Sequence, residues 1–369
     1  MLYLLKYLSE LNSDILGFFR IFDYITFRTA GATVTSFILV MWLAPFTVRK
    51  LKRFRATAAN RYEGIFDEKY IDRAKDSTPS MGGILVIGAI VVTGALWARM
   101  DNPVAIVLIA TLISFSLLGF MDDYAKVVHK NRDGMSERSK LLTQILLASL
   151  AVLFLNALPE SANVPIQDLY VPFKKTPLWS SPFVMVIEIA AIVGAANAVN
   201  FSDGKDGLCA GCVTISTAAY AVIAYLCGHM TFAGYLFLPS IPSAGEALVV
   251  AGATIGACAG FLWYNCFPAS MFMGDTGSLP LGAMLGLLAV IVRQEILLIV
   301  IGFIFVMEAG SVILQRTYFK LTKGKRLFLC TPIHHHFERK DWTETQIVVR
   351  FWILSVIFAI IGLATLKLR

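Results

Sequence analysis

Five aspartates in three short segments are the residues of this chain best placed to do chemistry. They are Asp122 and Asp123 in "GFMDDYAKVVHK", Asp203 and Asp206 in "NAVNFSDGKDGL", and Asp275 in "WYNCFPASMFMGDTGS". Each lies at the edge of an apolar run, and a carboxylate near hydrocarbon is costly and normally paired or functional. One boundary aspartate can simply cap a helix. Five of them, interleaved with Asn197, Asn200 and Asn265, exceed what capping requires. Acids so grouped need cations to coexist. Hard oxygen ligands suit Mg²⁺, which takes one or two carboxylates and leaves positions for phosphate oxygens. Lys75, Lys126 and Lys130 adjoin the acids and can hold the same phosphates as point charges. Glycines at 204, 207, 274 and 277 bracket the acids and let backbone N–H groups approach an anion. Neither G-x-x-x-x-G-K-[ST] nor G-x-G-x-x-G occurs, so a standard nucleotide-binding fold is excluded.

The elements that must carry these groups are membrane helices. Of 369 residues 57% are hydrophobic and only 15% charged, against roughly a quarter charged in soluble domains. Nearly uncharged runs recur at 30–48, 81–98, 103–121, 141–158, 183–202, 208–228, 247–273, 277–292, 296–315 and 351–366. A helix needs about 20 apolar residues to cross the hydrocarbon. The expectation is an all-α integral membrane protein of about ten transmembrane helices, one polytopic domain over 1–369. The first 22 residues carry Glu10 and Asp14 where a signal peptide would be apolar, and read as an interfacial helix. "NVPIQDLYVPFKK" alternates like a short hairpin.

The net charge of +7 does not point to nucleic acid, because of where it falls. The loops after odd-numbered runs, up to 317–345, hold 21 Lys and Arg, and those after even-numbered runs hold 4. The Lys/Arg excess marks the cytoplasmic side. Both termini then lie on the periplasmic side, and every dense polar motif faces the cytoplasm. A transporter would spread its polar residues through the membrane and over both faces, which this chain does not do.

"TPIHHHFERKDW" clusters His334, His335 and His336 on the same side. Three neighbours cannot converge on one metal. Pro332 disfavours helix before it, and an extended stretch would send His334 and His336 one way and His335 the other. Imidazoles there can donate to phosphate oxygens near neutral pH. Glu188 and Glu308 lie inside apolar runs. Interhelical hydrogen bonding accounts for Glu188, and Glu308 shares a helical face with Ser311 and Gln315, aimed at the inner side. Cys209 and Cys212 form a C-x-x-C at the start of an apolar run and read as buried small hydrophobes.

These motifs, in this order and over essentially the whole length, resemble the phospho-N-acetylmuramoyl-pentapeptide transferases of the polyprenyl-phosphate N-acetylhexosamine-1-phosphate transferase superfamily. Lys75 with "TPSMGG", "GFMDDYAK", "NAVNFSDGKDGL" and "FLWYNCFPASMFMGDTGSLPLG" resemble the family's motifs, and "PIHHHFE" is the most specific of the set. Ser80 stands for a threonine and keeps the hydroxyl. Lys205 stands where the family usually has leucine, adding a cation between two acids.

The resemblance implies transfer of phospho-MurNAc-pentapeptide from UDP-MurNAc-pentapeptide to undecaprenyl phosphate in the bacterial inner membrane, with Mg²⁺ as cofactor and lipid I and UMP as products. It implies Asp275 as metal ligand, with Asp123 next in line, and Asp122 as base. His334 joins these as the fourth catalytic residue. Asn200, Asp203, Asp206 and Asn265 would shape the nucleotide and diphosphate site, Lys126 and Phe272 hold the uracil, and His335 contact phosphate or sugar. Lys75, Ser80, Lys130, Gln315 and His336 complete the expected substrate-binding set. Membrane lipid is the expected surrounding, nucleic acid no partner, and a homodimer is allowed for.

Overall fold

A computed structural model describes residues 1–7, 17–54, 78–128, 134–159 and 164–368. The helices are α1 (Ile25–Arg53), α2 (Gly83–Trp97), α3 (Pro103–Val128), α4 (Glu137–Asn156), α5 (Val184–Ser202), α6 (Leu208–Gly228) and α7 (Met230–Leu236). They continue as α8 (Gly245–Asn265), α9 (Asp275–Ile291), α10 (Leu297–Ile301), α11 (Phe303–Leu321), α12 (Ile333–Glu338) and α13 (Glu344–Thr365). Each apolar run is helical over most of its length, although 247–273 leaves helix after Asn265 and 296–315 is broken at Gly302 between α10 and α11. Among the described residues seven helices, α1, α3, α4, α5, α6, α8 and α13, are long and apolar enough to cross a membrane, and α2 and α9 are shorter apolar helices. The peripheral helices turn apolar side chains outward: Trp42 of α1, Leu146 of α4 and Ile360 of α13 are all more than half exposed. Outward apolar faces at this density are what a bilayer solvates. The chain is a multi-pass membrane protein.

Helix α9 is the axis of the bundle. All its residues from Asp275 to Ile291 are buried, and it packs chiefly against α5 and α3. In lipid, helices associate by close packing of small residues rather than by a hydrophobic drive. Gly119 of α3 is such a contact, since a Cβ there would lie 2.2 Å from the Asp275 carbonyl oxygen. Pro280 sits inside α9 and has no N–H for the Thr276 carbonyl one turn earlier. The Ser116 hydroxyl of α3 donates to that carbonyl instead, at 3.1 Å. Helix α8 packs most extensively on α1, and their ends are joined by a buried bidentate pair, Arg28 to Glu246, at 2.6 and 2.7 Å.

The bundle has two unlike ends. At the Arg28 end, Leu2–Tyr7 and Gly17–Asp23 form 3-10 turns where a surface α-helix was expected; residues 8–16 lie outside the described set. The segment's shape is set by protein contacts: the Met1 ammonium donates to the Ala95 and Leu96 carbonyls at the end of α2, and Tyr3 is buried. A short antiparallel ladder forms between β1 (Asp168–Leu169), inside the segment expected to form a hairpin, and β2 (Trp179–Ser180), beyond it, with Asp168 opposite Ser180. At the other end lie the C-terminal turns of α3 and α5 and the N-terminal turns of α4, α6 and α9, which carry the acids.

Candidate active site

Four long side chains close the acid-bearing end. Asp122, in the last turns of α3, and Asp275, at the first residue of α9, face each other across two ammonium groups. Lys126 is 2.6 Å from Asp122 and 3.0 Å from Asp275. Lys140, from the first turn of α4, is 3.2 Å from Asp122 and 2.6 Å from Asp275. The remaining Asp122 oxygen accepts from the Met135 N–H at 2.8 Å, and that of Asp275 from Asn200 at 2.8 Å. Both carboxylates are about nineteen-twentieths or more buried, while the lysines keep a solvent-facing side. Buried charges of this kind persist only when paired. An anion arriving from solvent meets the ammonium groups first and the carboxylates behind them.

Lys140 was missing from the sequence-derived site. It immediately precedes the apolar run 141–158, so its chain is held at the membrane boundary where the acids sit. That position was its available signal. Lys126, expected at a uracil, instead bridges the two acids.

Two further acids act on α9 as caps. A helix N-terminus leaves amides unpaired and carries partial positive charge. Asp123 accepts from both the Thr276 N–H and the Thr276 hydroxyl, at 2.9 and 2.7 Å, and Asp203 accepts from the Gly274 N–H at 3.0 Å. The Ser80 hydroxyl and the Asp123 carboxylate both flank Gly274. Asp275 is therefore held from three sides: by its helix, by the caps, and by Asn200, which also donates to Ser278. Asp206 and Asn265 lie one layer outward and order loops. Asp206 accepts from the Ala269 N–H, and Asn265 accepts from the Gly207 N–H while donating to the Met271 carbonyl. Phe272 links two motifs through its backbone, donating to Pro79 and accepting from Gly82, with its ring half-buried. Lys75 and Lys130 lie outside the described residues.

The histidines depart from the extended arrangement. Ile333–Glu338 is helix α12, with Pro332 at its N-cap position. Proline restricts the residue before it and is compatible with a helix start, so the restriction falls on Thr331 and the histidines are free to coil. His334 and His335 are buried together, ring centroids 4.2 Å apart, and His336 is half-buried. His334 Nδ1 is 3.0 Å from Glu308, and His335 Nδ1 is 2.9 Å from Glu338. Burial pushes His335 down to about 4, against the pull of Glu338, so it is a neutral ring donating to a carboxylate. Burial would raise Glu338, but the His335 hydrogen bond and the Lys205 ammonium hold it at about 2. Lys205 does not sit between Asp203 and Asp206; it reaches α12, 2.6 Å from Glu338. His336 accepts from the Leu329 N–H, and Gln315 from the N–H groups of Leu327 and Phe328. Gln315 thus stands in the wall of a neighbouring pocket of about 360 Å³, with Arg316, Lys320 and Arg326, rather than at the acids.

The other intramembrane polar groups keep apart from the site. Neither oxygen of Glu188 has a hydrogen-bond partner among the described residues, so the expected interhelical bond is not made. Cys209 and Cys212 are buried free thiols, as expected.

A family model described as glycosyl transferase family 4 matches residues 105–293, which include Asp122, Asp123, Asp203, Asp206 and Asp275. The phospho-N-acetylmuramoyl-pentapeptide-transferase of Thermodesulfovibrio yellowstonii is 46% identical over 97% of this chain and 98% of its own length. Those of Desulfotalea psychrophila and Citrifermentans bemidjiense are 43% and 44% identical, covering 98% and 100% of this chain and 99% and 100% of their own. The chain belongs to the phospho-N-acetylmuramoyl-pentapeptide transferase family. In this transferase the donor set at Asp122 and Asp275 fits a hard divalent cation. Both present carboxylate oxygens that already face cationic groups, and Asn200 orients one of them. Among the described residues no three side chains of His, Cys, Asp or Glu converge as metal ligands. A cation there would draw on one or two carboxylates and on phosphate oxygens of a ligand, the usual Mg²⁺ mode. Asp123 meets Thr276 through one carboxylate oxygen only.

Proposed function

We propose that this transferase moves phospho-MurNAc-pentapeptide from UDP-MurNAc-pentapeptide to undecaprenyl phosphate, giving lipid I and UMP, at the cytoplasmic face of a bacterial inner membrane. The observation that carries the reading is the buried Asp122–Asp275 pair bridged by Lys126 and Lys140 at one end of the bundle. Transfer between phosphates is mostly positioning and charge neutralisation, and this group supplies both. Asp122 takes the proton of the lipid phosphate. The freed oxygen forms a bond to the phosphorus next to the sugar, and the bond from that phosphorus to UMP breaks. Lys126 and Lys140 follow the negative charge from acceptor to leaving group. Asp275 holds Mg²⁺, which when bound supplies charge neutralisation at the diphosphate. Asn200, Asp203 and Asp123 keep Asp275 in place. The Lys/Arg bias of the loops supports a cytoplasmic position for this end, where the nucleotide sugar is available.

The test is purified protein with both substrates, with and without Mg²⁺, scored for UMP. Asp275→Asn is expected to be inactive at any Mg²⁺ concentration. Asp122→Asn is expected to lose about 10²–10⁴-fold and to recover in part as pH rises and the phosphate ionises unaided. UMP exchange into UDP-sugar in rigorously delipidated wild type would overturn Asp122 as base in favour of a covalent step.

A further inference from the structure

The mechanism above makes no use of Glu308. It lies in the second turn of α11 at 0% exposure, and its carboxylate's one hydrogen-bonding contact among the described residues is to His334 Nδ1, at 3.0 Å. The pair is closed off from water, with side-chain exposures of 0% and 1%. Its outer atoms are unsatisfied: Glu308 Oε1 and His334 Nε2 are buried with no partner among the described residues. The second nitrogen has a direction. It packs on Gly204, where a Cβ would lie 2.4 Å from it, and any side chain there would push the ring away. Gly204 follows Asp203, whose carboxylate caps Gly274 beside Asp275. A short chain of contacts therefore runs from a carboxylate inside the membrane helices, through an imidazole, to the turn that holds the acid site.

The geometry points to Glu308 as the positioning residue for His334: by accepting a hydrogen bond from Nδ1–H it holds the ring in one tautomer and orientation, leaving the Nε2 lone pair at the Asp203–Gly204 turn to accept from a hydroxyl or N–H donor of the substrate. The tautomer of a histidine is set by the bond its other nitrogen makes, and a carboxylate behind the ring fixes that bond. Without Glu308 the ring can turn over, and Nδ1 and Nε2 compete for the same place. Ser311 supports the arrangement, its hydroxyl donating to the Glu308 carbonyl at 2.7 Å. The inference rests on the acid end being the transfer site, but its first test does not.

The chain has five histidines, so ¹⁵N-histidine labelling of the detergent-solubilised protein gives a spectrum that single His→Gln variants can assign. His334 is expected as the Nδ1–H tautomer in wild type and as a mixture in Glu308→Gln. An Nε2–H tautomer in wild type, or one unchanged by Glu308→Gln, overturns the proposal whatever the enzyme's substrate. In turnover, Glu308→Gln is expected to lower kcat about tenfold to a hundredfold with KM for the UDP-sugar near wild type. The double variant Glu308→Gln/His334→Gln should be no slower than His334→Gln alone. Additive losses, or a loss that tracks a fall in melting temperature, would mean that Glu308 serves only the fold. Absence of UMP release from wild type would instead strike the functional reading and leave the tautomer result standing.

Discussion

At the scale of single residues, the site is a charge balance in which each lysine serves two acids. Lys140 has the shorter contact to Asp275 and Lys126 the shorter one to Asp122, so neither replaces the other. Lys140→Met leaves two buried carboxylates on one ammonium. Breaking a buried pair from one side costs about 3–5 kcal/mol, and a lost charge stabiliser about 100-fold or more in turnover. The variant is expected to release UMP at least about 100-fold more slowly, with Lys140→Arg keeping part of the rate. Near-normal turnover in Lys140→Met would remove the residue from the site.

Among elements, two joints decide whether the residues meet. The α3–α9 contact depends on Gly119, and an alanine there must displace the Asp275 carbonyl or the helix that carries it. Overpacking of this kind costs about 1–3 kcal/mol. Gly119→Ala is expected to lower both the melting temperature and the rate, because Asp122 and Asp275 sit on the two helices being separated. An unchanged rate would show that the site tolerates their parting. The second joint is α12, whose Glu338 pairs with His335 within the helix and with Lys205 across to the turn before α6. His335 is held below its ordinary value, so its stabilising contribution is full above about pH 6.5 and is lost as pH falls toward about 4. Glu338, also held low, contributes above about pH 4.5 and loses it only toward about 2. Melting temperature is therefore expected to fall between pH 6.5 and 4 more in wild type than in His335→Gln; equal pH profiles would dismiss the joint as a titrating element.

For the whole molecule, the two ends of the bundle differ in chemistry, and the membrane must distinguish them. Single cysteines placed in 164–182 and 229–244 are expected to react with an impermeant reagent in intact cells, and cysteines in 322–331 only after permeabilisation. Labelling at 322–331 from outside would reverse the orientation and put the acid end away from the nucleotide. The bundle also explains why the acids tolerate burial. α9, buried along its whole length, brings its N-terminal amides to Asp123 and Asp203, so the helix itself stabilises them.

The sequence by itself determined the membrane helices, because apolar runs long enough for the bilayer leave the backbone no alternative to helix, and it determined which end is polar, because the acids stop those runs. Asp122, Asp275 and Asn200 were legible as a group for that reason. Which carboxylate meets which cation was not, since the contacts of Lys140 and Lys126 to Asp275 span 135 and 149 residues. Nor could the runs reveal that Asp123 and Asp203 cap α9, that Lys205 turns to Glu338, or that Glu308 reaches His334. Those pairings depend on the side-by-side packing of helices distant in sequence, where a missing methyl at Gly119 or Gly204 admits a neighbour, and hydropathy carries no record of who that neighbour is. Periodicity also misplaced the histidines, because Pro332 can begin a helix as readily as end one, and only the partners Glu308, buried, and Glu338, half-buried, decide between the two.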